Sequence, residues 1–84
     1  MKVDMLDPTP IYMQLAGIIV ERIKTGDLEE RQAVPSESSL QQEHGVSRGS
    51  VRRAMEVLRE DGWVITIQGR GTYVAPKAKW PGKP

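Results

Sequence analysis

Three helices followed by one β-hairpin is the architecture this sequence predicts, a mainly α fold with a small two-stranded sheet. Three observations carry it. Residues 34–58, VPSESSLQQEHGVSRGSVRRAMEVL, read as two short helices broken at His44-Gly45-Val46, the second holding three arginines within six residues. Upstream, Tyr12, Leu15, Ala16, Ile19 and Ile23 recur at i, i+3, i+4, i+7 and i+11, the spacing of an amphipathic helix. Downstream, WVITI and TYV flank the glycine-rich QGRG, the pattern of a hairpin.

Size and composition narrow the function classes. A chain of 84 residues allows one domain with a modest core and no deep enzyme cleft. Cysteine is absent, which excludes disulfides and Cys-based metal sites and fits the cytoplasm. The longest apolar run, Ile18-Ile19-Val20, is far short of the roughly 20 residues of a spanning helix, and MKVDMLDPTP lacks the apolar core of a signal peptide. The net charge of +1 conceals an asymmetry: residues 1–46 carry −4 and residues 47–84 carry +5. Such a division points a basic face at a polyanion and turns the acidic half away.

Residues 1–9 show no periodicity and read as a loose arm. Thr9 is the expected N-cap of the first helix, with Pro10 in the first turn, where its missing N–H has no partner to lose. Ile11, Ile18 and Val20 widen the apolar stripe, placing this helix at the centre of the core, and Gly26 is its expected C-cap. Tyr12 reads as a packing residue. Residues 27–35 form a polar connection. Ser36 caps the second helix, Glu37 suits the positive end of its dipole, and Leu40 is its one strong apolar anchor. Gly45 supplies a left-handed turn, and Val46 plugs the angle between the helices. His44, the single histidine, has only Glu43 beside it, so it makes no metal site and reads as a surface residue at a helix end. No His/Asp constellation accompanies the serines, which argues against nucleophilic catalysis. No cofactor is implied.

Ser47 caps the third helix. At 100° per residue Val51, Ala54, Met55 and Leu58 fall on one core-facing arc. Arg48 and Arg52 lie just beyond it, with Gly49 and Arg53 further round, whereas the acids Glu56, Glu60 and Asp61 come later. Two helices joined by a tight glycine turn, with positive charge at the start of the second, suggest a helix-turn-helix that enters a DNA major groove by its N-terminal end. Asp61-Gly62 stops the helix. Trp63, Ile65 and Ile67 are expected on one hairpin face against the helices. Gly69 and Gly71 bracket Arg70, so one cation projects from the tip towards a minor groove or a phosphate. The GxG is too short for a P-loop. APKAKWPGKP, residues 75–84, offers no core residues, and the segment 76–84 reads as a linker or disordered tail.

The order helix–helix–helix–hairpin is that of a winged helix-turn-helix, and the residues then resemble the DNA-binding domain of the GntR family of bacterial transcription regulators. The matching pieces are Pro10-Ile11-Tyr12, Thr25-Gly26-Asp27-Leu28, Val34-Pro35-Ser36-Glu37, Gly45-Val46-Ser47-Arg48, Val51-Arg52 with Ala54, Leu58 and Gly62, and residues 68–74, QGRGTYV. They cover about residues 10–75, in order and at the right spacing. The resemblance implies reading of a palindromic double-stranded operator by a dimeric regulator, commonly a repressor. It implies contacts from Ser47, Arg48, Gly49, Ser50, Arg52 and Arg53 on the third helix, from Ser36 and Ser38 on the second, and from Gln68, Gly69 and Arg70 on the wing. It also implies a separate C-terminal domain that binds an effector and dimerises, so that residues 10–75 alone are monomeric.

Several positions depart from the family pattern. Ser38 stands where Arg is usual, Gly49-Ser50 replaces Thr-Thr, and Arg53 replaces a frequent acid. Ile67 replaces a basic residue, and Glu30-Arg31 replaces Pro-Gly. The alternative reading is a winged-helix docking module that touches protein and no nucleic acid, because fold alone does not determine function. An enzyme is not indicated, since no acid–base pair sits on a plausible pocket.

Overall fold

A computed structural model describes residues 3–82, with α1 at Ile11–Lys24, α2 at Glu37–His44, α3 at Arg48–Asp61, β1 at Val64–Ile67, β2 at Gly71–Val74 and a 3-10 turn at Lys77–Lys79. This is the three-helix, two-strand winged arrangement. Leu15 and Ile19 of α1, Leu40 of α2, and Val51, Ala54 and Leu58 of α3 are at most 1% exposed and form one core with Val64 and Val74. The stripe expected on α3 is the buried one.

The helix ends follow local chemistry. Ser36 Oγ accepts from the Ser39 amide and Ser47 Oγ from the Ser50 amide, each at 3.1 Å, so one orphan donor at each helix start is answered by the capping side chain. Gly45 takes φ +65° between α2 and α3, with Val46 buried beside it. At α1 the expectation is corrected. Pro10, not Thr9, is the N-cap, and no side chain caps this end. The Thr9 carbonyl instead accepts from Gln14 Nε2 at 2.9 Å. At the other end Thr25 is the C-cap and Gly26, at φ +87°, follows it in the left-handed position.

The expected hairpin face is also corrected. Trp63 is not the first strand residue: Gly62, at φ +94°, turns the chain, and the Trp63 amide donates to the Leu58 carbonyl at 2.9 Å to close α3. Period-two alternation therefore starts at Val64, which is buried opposite Val74, while Ile65 is half-buried and Ile67 is 38% exposed on the outer face. The connection read as merely polar is a third edge. Val34 and Arg31 amides donate to the Thr72 and Val74 carbonyls, both at 2.9 Å, and the Val74 amide donates to Gln32 at 2.8 Å, so residues 31–34 cover the free side of β2. Arg31 there adopts φ +68°, the one left-handed non-glycine among the described residues. It occupies the position where the related pattern has glycine.

Among the described residues, 3–9 and 76–82 make specific contacts with the rest of the domain. Gln14 ties the arm down by accepting from the Asp4 amide at 2.8 Å and donating to the Asp4 and Thr9 carbonyls, and Val3 packs on the core. Past β2, Trp80 packs against Trp63 with ring centroids 5.8 Å apart and donates from Nε1 to the Ala75 carbonyl at 2.8 Å. The Lys77 amide donates to Glu30 at 3.0 Å. A single aromatic pair and these hydrogen bonds are what composition alone overlooked in 76–80. The parts of the expected arm and tail at 1–2 and 83–84 lie outside the described residues.

The tail closes tightly over the start of the hairpin. A Cβ added to Gly62 would lie 2.6 Å from the Lys79 carbonyl oxygen, whereas one added to Gly26 would meet nothing within 4 Å. Gly26→Ala should therefore cost about 1–2 kcal/mol of left-handed strain alone. Gly62→Ala should cost clearly more, and thermal melting checks this, each kcal/mol being about 4–8 °C for a domain this size. Equal losses for the two variants would show that the turn at 77–79 does not sit on Gly62.

Candidate nucleic-acid interface

The rotation of α3 is set by its buried stripe, and that rotation decides which side chains remain free. Arg48 and Arg52, one turn apart, have side chains 62% and 61% exposed at the capped, N-terminal end of the helix. Gly49 lies exposed between them with open space around it, since an added Cβ would meet only Ser47 Oγ at 3.9 Å. Amide groups at a helix start present partial positive charge, so cations and dipole reinforce one another here towards an anion.

The two arginines share one carboxylate. Arg52 Nε donates to Glu37 Oε2 at 3.1 Å, and Arg48 Nε lies 4.0 Å from Glu37 Oε1. Sequence inspection treats Glu37 only as a dipole partner of α2, and its 15-residue separation from Arg52 leaves no local signal of this pairing. Arg53 belongs to a different flank. Its Nη1 donates to Glu56 Oε1 at 2.9 Å and its guanidinium lies 5.2 Å from the Tyr12 ring centroid, on the side towards α1. The hydrogen bond to Glu56, and then the Tyr12 side chain, push its pKa up.

The serines divide by task. Ser36 and Ser47 hydroxyls are engaged in capping, each also donating to the hydroxyl three residues on, Ser39 and Ser50 respectively. Ser38 is exposed and has no side-chain hydrogen bond among the described residues.

The wing tip turns within Gln68-Gly69-Arg70, one residue shorter than expected because Gly71 already pairs with Ile67. The Arg70 amide donates to the Ile67 carbonyl at 2.9 Å across left-handed Gly69, φ +80°. Gln68, Gly69 and Arg70 are all exposed. An open cleft of about 570 Å³ separates α3 from the wing and is lined by Glu37, Arg52, Glu56, Arg59 and Arg70. Arg59, absent from the expected contacts, spans it by donating from Nη1 to Thr66 Oγ1 at 3.3 Å, which braces the wing on α3. The structure thus brings Arg52 and Arg70 onto one cleft and sets Arg53 apart from them.

His44 is corrected from a surface residue to a packed one. Its side chain is 4% exposed, with Nε2 buried and 3.7 Å from Glu43 Oε2. Arg22 of α1 reaches the same carboxylate at 3.7 Å and Asp27 at 2.7 Å, so this cluster ties the ends of α1 and α2 together. Among the described residues no group of three or more His, Cys, Asp or Glu could hold a metal ion, and no helix is long and apolar enough to cross a membrane.

A capped helix with exposed arginines beside a braced wing defines the class: a winged helix-turn-helix of the kind that reads nucleic acid. The family model for bacterial regulatory proteins of the gntR family matches residues 11–74, and the chain belongs to that family. It is 49% identical over 65 residues to the mannosyl-D-glycerate transport/metabolism system repressor MngR of Escherichia coli (strain K12), covering 77% of this chain and 27% of that protein. It is 40% identical over 73 residues to the histidine utilization repressor of Pseudomonas putida, covering 86% and 29%. The chain therefore spans less than a third of the length of these curated relatives. Among solved structures, YtrA from Sulfolobus acidocaldarius, a GntR-family transcription factor, superposes with TM-score 0.82 at 33% identity, covering 90% of this chain and 80% of that one. The AraR DNA-binding domain in complex with operator ORE1 superposes with TM-score 0.75 at 38% identity, covering 79% and 80%. This is a DNA-binding domain of transcription regulation and not an enzyme.

The caps hold the donor-bearing end of α3 in register, so their loss should register in stability first. Ser47→Ala and Ser36→Ala should each cost about 1 kcal/mol in urea-induced unfolding. A loss below about 0.3 kcal/mol for both would show that the hydroxyls are not the caps described.

Proposed function

We propose that this domain reads a palindromic double-stranded operator as the DNA-binding part of a cytoplasmic bacterial repressor. Effector binding and dimerisation are assigned to other parts of the full-length regulator, and the domain alone is monomeric. The observation that carries this reading is the pair Arg48 and Arg52, exposed at the capped start of α3 and beside the cleft to the Arg70-bearing wing.

In this reading the start of α3 enters the major groove, and the DNA backbone between major and minor grooves lies over the cleft. Arg48 and Arg52 reach base edges, where a bidentate arginine–guanine pair gives about 1–3 kcal/mol of discrimination. Ser50 and the exposed backbone around Ser47 and Gly49 position phosphates, Ser36 and Ser38 flank the same strand from α2, and Arg53 takes a peripheral phosphate on the α1 side. Gln68, Gly69 and Arg70 approach the minor groove, where an arginine senses width as well as charge. The repressor names of the relatives support the direction of regulation.

Selection from a duplex library with a randomised core, followed by fluorescence anisotropy on the enriched duplex, tests this. With about four cations meeting phosphates, log K should fall against log salt with a slope near −3 to −4. Arg48→Ala/Arg52→Ala should abolish the preference for the enriched duplex over a scrambled one. Arg70→Ala should weaken both and shorten the slope by about one. Salt-independent binding, or full binding by the double variant, would falsify the proposal. Sedimentation of the free domain should give a monomer, and a single half-site should bind more weakly than a palindrome.

A further inference from the structure

Glu37 stands in the middle of the candidate interface with the wrong sign for it. A carboxylate facing DNA repels phosphate, yet this one is only 42% exposed and presents one oxygen to each of the two arginines, at 3.1 Å and 4.0 Å. Both contacts are made through Nε. An arginine has five N–H donors in a planar fork. When the Nε edge faces a carboxylate, the terminal Nη pair is left as the free edge. Among the described residues neither Arg48 nor Arg52 has a hydrogen-bond partner at its Nη atoms. The Nη pair is the edge that addresses guanine O6 and N7 end-on.

We propose that Glu37 is a positioning residue for specificity. It holds Arg52 by a hydrogen bond to the inner edge and draws the inner edge of Arg48 by charge across 4.0 Å, so that both present Nη donors to base edges and neither swings freely onto phosphates. This rests on the DNA-reading function proposed above. The carboxylate has two consequences. It offsets part of the charge that drives non-specific binding, and it removes side-chain freedom before DNA arrives, so the ordering cost falls less heavily on the complex. Specificity is a difference between affinities, and lowering the non-specific one raises it as surely as adding a contact.

The test compares wild type, Glu37→Gln and Glu37→Asp, all as the 84-residue chain, by selection from the randomised duplex library and by anisotropy on a fixed random-sequence 20-bp duplex. Glu37→Gln should bind the random duplex several-fold more tightly, with a salt slope steeper by about one, and should enrich a motif with weakened preferences where Arg48→Ala and Arg52→Ala also weaken them. Glu37→Asp keeps the charge and shortens the reach, so the slope should stay as in wild type while the motif still flattens. Unaltered thermal melting and amide spectra show that the variants are folded. The proposal is overturned if both variants enrich the wild-type motif with wild-type sharpness. It is also overturned if Glu37→Gln loses preference at one base pair that neither arginine variant affects, because Glu37 would then read that base itself. Enrichment of no motif by the wild type would instead refute the DNA-reading function, which separates the two failures.

Discussion

The burial of Val51, Ala54, Met55 and Leu58 is the constraint on which the rest depends. These four side chains lock α3 against α1, α2 and the base of the hairpin, and so set its rotation about its own axis. With that rotation given, a helix has no freedom left in what it displays. Arg48 and Arg52 emerge beside α2 and the wing cleft, and Arg53 emerges on the flank where Tyr12 lies beneath it. A substitution that reoriented the stripe would move every candidate contact at once, although none of the four touches the cleft's arginines by charge.

Around that locked helix the remaining elements act as braces. Residues 31–34 cover the outer side of β2, Arg59 joins α3 to Thr66, and the turn at 77–79 closes over Gly62 while Trp80 packs on Trp63. A two-stranded hairpin alone is at best marginally stable in water. Held at its base by Val64 and Val74 and at its edge by the 31–34 segment, the wing can carry Arg70 at a defined distance from α3. Its outer face, with Ile65 and Ile67, contributes little to the core, which is why a basic residue can stand at position 67 in related patterns.

Charge is arranged with similar economy. The acidic first half is not simply turned away: Glu37 reaches into the basic face, and the exposed Glu43 faces Arg22 and His44 at the seam between α1 and α2. The +5 of residues 47–84 thus overstates what is free to meet an anion, because Glu37 of the acidic half lies against Arg48 and Arg52.

Helix existence, the two serine caps, the glycine turn and the α3 stripe were legible in the sequence because each depends on residues within about one or two turns of each other. The same holds for the exposed wing arginine between two glycines. What the chain alone left undecided involved partners far apart in sequence. Strand alternation was misplaced by one residue because Gly62 and Trp63 finish α3 before β1 begins. His44 read as surface because Arg22 and Glu43 come together only when α1 and α2 pack. The tail read as coil because Trp80 needs Trp63, seventeen residues earlier, to have a neighbour. Local propensity and capping write themselves into consecutive residues, whereas the Glu37 pairing and the cleft beside it exist only once non-local packing has brought α2, α3 and the wing together.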